Sequence, residues 1–134
     1  MRLVADTNRV IASLIKDSIS RKILLSNKFN FYSPTFLMEE LNKYKELIIK
    51  KANINEVIYN RILKIFLYKI NLVSLNEFED YLEEAKELIN DIKDTPFIAV
   101  AISKKADGIW SDDEHFQKQN KIKIFKTKDL MKFL

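Results

Sequence analysis

Five short apolar runs recur along the 134 residues: Arg2–Ala5 and residues 29–32, 69–74, 107–111 and 122–125. Segments with apolar residues at helical spacing separate them. Runs this short suit strands covered on both faces, and connections long enough to hold a helix favour parallel neighbours. The expected fold is α/β, a single unit over residues 1–134 with a mainly parallel central sheet of about five strands flanked by helices. One glycine and two prolines leave no room for an internal linker, and no repeat is visible. With 47% apolar residues, the chain can bury a core without covalent staples.

The helical segments carry further expectations. Residues 8–15 and 20–27 form the first two helices. Ser33-Pro34-Thr35 is a helix-start signal for a third that runs to about residue 50. Its buried face is Leu37, Leu41, Tyr44 and Ile48, which sets Glu40 at the edge of the core. A helix over 53–68 carries Val57, Ile58, Ile62, Ile65 and Phe66, and an acidic one covers 77–90. Asp94-Thr95-Pro96 opens the next, with Asp94 or Thr95 as its cap, and 128–134 forms the last.

Composition excludes several chemistries. No cysteine is present, so disulfides, thiolate metal sites and thiol nucleophiles are ruled out, and His115 is the sole histidine. A bound metal is therefore expected to be held by oxygen. No glycine-rich phosphate loop appears. The net charge of +4 and isoelectric point near 9.2 are compatible with a polyanionic partner. Met1-Arg2-Leu3-Val4 leads directly into strand, where a signal leader would need space, and no run approaches the roughly 20 apolar residues of a membrane span. These features predict a soluble cytoplasmic protein with no membrane partner.

Acids mark the junctions between elements. Asp6 (VADTN) and Asp113 (SDDEHF) follow strands, Asp94 (KDTPF) opens a helix, and Glu40 (FLMEEL) lies within one. In parallel sheets ligands bind beyond the carboxyl ends of strands, where the strand order reverses. Four carboxylates gathered there cannot all stay ionised without a cation, and oxygen donors suit Mg2+ or Mn2+. One or two ions would activate water against a phosphodiester. Asp6 and Asp94 are the expected direct ligands, with Asp113 and Glu40 completing the ring directly or through water. Thr7 and Asn8 are expected to bind a phosphate or orient Asp6, and Ser111 to do the same from the last loop.

These motifs, over essentially the whole chain, resemble the PIN-domain family, small metal-dependent ribonucleases that include the VapC toxins of toxin-antitoxin pairs. VADTN, the acid of MEEL, DTPFIAVA and IWSDDEHF occur in the family's order. The resemblance implies a parallel sheet with helices on both faces, a divalent-metal site at its carboxyl edge and cleavage of RNA. It also implies a homodimer and a cognate antitoxin. Ser111 stands where the family usually has threonine. Asp112 adjoins Asp113 and Glu39 adjoins Glu40, so both remain alternates; spacing to Phe116 selects Asp113. Asp91 is an extra candidate ligand beside Asp94.

Plainer readings stand beside these. Asp6 alone is a strand-end turn residue, Asp94 a helix cap and Glu40 a solvated helix residue. His115 reads as a surface histidine ahead of a general base, because a metal-activated water needs no imidazole. Trp110 reads as core, and Tyr44, Tyr59 and Tyr68 as packing or dimer contacts ahead of RNA stacking. The lysines of KELIIKK and of 118–128 read as solvated faces ahead of phosphate contacts. The leading function is a metal-dependent endoribonuclease of single-stranded or structured RNA, a toxin of a toxin-antitoxin pair. The alternatives are a catalytically weak RNA-binding or assembly module of the same fold and a response-regulator receiver. The receiver needs an early acidic pair that VADTN does not supply.

Overall fold

A computed structural model describes residues 1–16 and 18–134. The elements run β1 (Arg2–Ala5), α1 (Thr7–Ile15), α2 (Ser18–Leu25), β2 (Asn30–Pro34), α3 (Phe36–Lys43), α4 (Lys45–Ala52), α5 (Glu56–Tyr68) and β3 (Ile70–Val73). Then come α6 (Leu75–Phe78), a 3-10 turn (Glu79–Tyr81), α7 (Leu82–Leu88), α8 (Thr95–Ser103), β4 (Gly108–Trp110), a 3-10 turn (Glu114–Lys118), β5 (Ile124–Phe125) and α9 (Thr127–Met131). The sheet order is β3-β2-β1-β4-β5, and every pairing is parallel. The expected α/β architecture is therefore present.

Alternation along the strands divides the core into two layers. Leu3, Ala5, Phe31 and Trp110 face a cluster with α1 to α5, where Leu14, Leu24, Leu41, Ile48 and Tyr59 are buried. Val4, Val73 and Ile109 face the other cluster, built on Phe97, Ile98 and Ala101 of α8 with Phe78, Ala85 and Phe116. Successive strand residues point to opposite faces, so consecutive apolar residues serve both layers. Gly108 begins β4 where β5 comes close: a Cβ there would stand 2.5 Å from the Lys123 carbonyl oxygen.

Some helix expectations are corrected. Ser33 and Pro34 belong to β2, and the Ser33 hydroxyl donates to the Ala5 carbonyl at 2.7 Å within the core, so it caps no helix. Thr35 precedes α3 without a side-chain cap. The helix expected to reach residue 50 breaks at Tyr44, whose φ of −100° and ψ of 8° separate α3 from α4. The helix expected from residue 53 starts at Glu56, because the Asn55 side chain accepts from the Ile58 amide at 2.9 Å. Tyr59 and Phe66 define its buried face, leaving Val57, Ile58 and Ile65 exposed. The acidic helix over 77–90 divides into α6, a 3-10 turn and α7, with Ser74 and Glu77 forming a capping box at its start.

Candidate metal centre at the switch point

Strand order reverses between β1 and β4, since α1 leads from β1 toward β2 on one side while β4 and β5 lie on the other. Open parallel sheets leave a crevice at such a point, beyond the strands' carboxyl ends. Ala5 pairs with Trp110 there, so the next residues, Asp6 and Ser111, emerge side by side. The Asp6 amide donates to the Trp110 carbonyl at 3.1 Å, and the Ser111 hydroxyl donates to Asp6 Oδ2 at 2.7 Å. The same hydroxyl oxygen accepts from the Asp113 amide at 3.0 Å. One fully buried serine thus fixes two acids.

Asp6 is only 7% exposed. Burial pushes its carboxyl up to about 6, with the Asp113 charge adding to the effect and Ser111 and the Asn8 amide opposing it. Asp94 stands at the cap position of α8, yet its side chain caps nothing, and Thr95 instead donates to the Asp91 carbonyl at 2.8 Å. Burial, followed by the charges of Asp91, Asp113 and Asp6, raises Asp94 to about 6 as well. Asp94 Oδ2 is buried without a hydrogen-bond partner among the described residues. A polar oxygen left in that condition is costly unless something outside the chain satisfies it.

The remaining acids separate by what they touch. Glu40 accepts from Thr7 Oγ1 at 2.6 Å and lines the cleft, whereas Glu39 is exposed and does not. The Thr7 hydroxyl thus meets Glu40, while Asp6 is met by the Ser111 hydroxyl and the Asn8 amide. Asp113 accepts from the His115 amide at 2.9 Å and also lines the cleft. Asp112 turns toward α9, where it accepts from the Thr127 amide and hydroxyl, each at 2.8 Å, and pairs with Arg9 at 2.9 Å.

Asp6, Glu40, Asp94 and Asp113 thus border one cleft of about 230 Å3, along with Asn8, Tyr44, Asp91, Lys93 and His115. His115, read from the sequence as a surface residue ahead of a general base, also borders the cleft. Its Nδ1 lies 3.6 Å from Asp113 Oδ1 and 3.9 Å from Asp94 Oδ2, too far for hydrogen bonds. One ligand atom each from Asp91, Asp94 and His115 falls within 4.8 Å of the others. The 3-10 turn after β4 returns the imidazole to the cleft, and no local sequence signal marks that reversal.

The donor set fits a hard divalent cation. It is dominated by carboxylate oxygens, two of its acids are held well above their ordinary range, and one oxygen is orphaned.

Comparison with known proteins is decisive for the family. The PIN-domain model matches residues 4–131. The chain belongs to the PIN-domain family. PIN domains are in general nucleases, and this one has the all-parallel sheet expected of them. Among solved structures, it is similar to a chain of VapBC2 from Rickettsia felis bound to a DNA fragment from their promoter. The TM-score is 0.64 at 18% identity, with 94% of this chain and 98% of that chain covered. At that identity the likeness is one of fold. No curated protein sequence matches.

Proposed function

We propose that this PIN domain is an Mg2+- or Mn2+-dependent endoribonuclease of single-stranded or structured RNA, acting as the toxin of a toxin-antitoxin pair, with residues 1–134 forming one nuclease unit. The observation that carries the reading is the orphaned Asp94 Oδ2, buried in a cleft shared with Asp6, Asp113 and Glu40 at the strand-order switch. Asp6, Asp94 and Asp113 would hold one or two cations, and Glu40 completes the acidic ring. The chemistry such ions supply when bound is acidification of water and neutralisation of charge on the phosphodiester. Ser111 holds Asp6 and the Asp113 backbone in place, and Thr7 holds Glu40. Asn8, exposed at the rim, is placed to meet a phosphate.

The toxin role rests on the sequence resemblance and is supported by a fold like that of VapBC2. It carries with it a homodimer, a cognate antitoxin and a cytoplasmic setting. Among the described residues, no helix is long and apolar enough to cross a membrane. The test is incubation of a fluorescent single-stranded RNA with the protein in Mg2+, Mn2+ or EDTA. Cutting that requires the metal is expected. RNA bound and left whole in every condition would instead identify a binding module.

A further inference from the structure

Tyr44 lies four residues beyond Glu40 at the end of α3, where its amide donates to the Glu40 carbonyl at 3.1 Å. Glu40 and Tyr44 border the cleft together with Asp6 and Asp94. The ring is half-buried and packed from behind against the α1-side core. The exposed Lys43 ammonium stands over one face of the ring, 5.4 Å from the centroid. Packing accounts for the buried part of the ring, and the rest of the residue borders the cleft. A cleft floored by carboxylates also gains little from phosphate attraction alone, so a nucleic acid needs another foothold. An aromatic face backed by a rigid core, with a cation beside it, is what single-strand-binding proteins use to stack a base.

We propose that Tyr44 is a base-stacking platform that takes the base of one unpaired nucleotide next to the phosphodiester to be cut. The substrate at that point is then single-stranded RNA, since a base within a duplex offers no free face. Lys43 leaves the ring for a neighbouring phosphate, and Lys93, which lines the same cleft, meets another. The proposal rests on the nuclease reading above and narrows its substrate.

The experiment is fluorescence anisotropy of a labelled single-stranded hexanucleotide, with Ca2+ as the cation to hold the acids without cutting. The series repeats the measurement with one abasic nucleotide at each position in turn. Tyr44→Leu is expected to weaken binding about tenfold, and Tyr44→Phe to leave it nearly unchanged. One abasic position should weaken wild-type binding by a similar factor and have no further effect on Tyr44→Leu. An abasic penalty that persists in Tyr44→Leu, or equal losses in the Leu and Phe variants, would overturn the platform. If Tyr44→Leu fails to fold, the abasic series on the wild type and Tyr44→Phe decides, and a flat series overturns it. A wild type that binds no RNA overturns the underlying nuclease reading as well.

Discussion

The hydroxyl of Ser111 donates to Asp6 Oδ2 across 2.7 Å, joining the carboxyl ends of β1 and β4 through residues 105 apart in sequence. Because its oxygen also receives the Asp113 amide, one small side chain sets the spacing of two acids. Ser111→Ala should leave Asp6 buried without its strongest counterweight, raising its pKa further. A hydrogen bond to a charged group is worth about 1.5–3 kcal/mol. The expected outcome is Mn2+ affinity about tenfold weaker by calorimetry, with a restored value in Ser111→Thr. Equal affinity in the Ala variant would show that the bond does not organise the site.

The raised carboxyls give a pH dependence with a definite sign. Asp6 and Asp94 sit near 6 in the folded chain against an ordinary aspartate value of 3.8. Between those values the folded state holds more protons than the unfolded one, so their contribution is fully present below about 3.8 and disappears as pH rises through about 6. The metal-free protein should therefore lose thermal stability between pH 5 and pH 7.5. Mn2+ should restore more of it at pH 7.5 than at pH 5, and Asp6→Asn should flatten the metal-free profile. A metal-free Tm that rises over this interval would contradict the assignment.

Asp112 and Asp113 are neighbours with different duties. Asp112 joins Arg9 to the first turn of α9 through three contacts, while Asp113 faces the cleft. Asp112→Ala should cost about 1–2 kcal/mol, the range of a lost cap and a part-exposed ion pair, with little change in metal affinity. Asp113→Asn keeps the cap on His115 and should do the reverse. Thermal melting and Mn2+ calorimetry on the two variants check this; matching profiles would remove the distinction.

The sequence revealed most where local chemistry and tertiary need agree. Strands buried on both faces have to be continuous apolar runs, so the β1 and β4 segments, and the acids that follow them, are legible in the sequence alone. Ser33-Pro34-Thr35 misled because a serine before a proline reads locally as a cap, whereas Ser33 is spent on the Ala5 carbonyl of the adjacent strand. The break at Tyr44 was hidden because the spacing of buried residues continues across it, through Leu41 to Ile48. On α5, adjacent apolar residues allow more than one face, and packing selects Tyr59 and Phe66. The division of labour between Asp112 and Asp113 depends on Arg9 and Thr127, which meet Asp112 from 103 and 15 residues away and which no local pattern specifies. His115 enters the cleft for the same kind of reason.

Asp94 is where the nuclease account is most exposed to test, since its orphaned oxygen has no other partner among the described residues. The deciding measurement is the initial rate of cleavage of a single-stranded RNA by wild type and Asp94→Asn side by side, in saturating Mn2+ and with matched melting curves. Metal-dependent cutting by the wild type, reduced at least about a hundredfold in the variant, is predicted from the loss of a charged ligand at the reacting centre. Equal rates in the two proteins would contradict a metal centre built on Asp94.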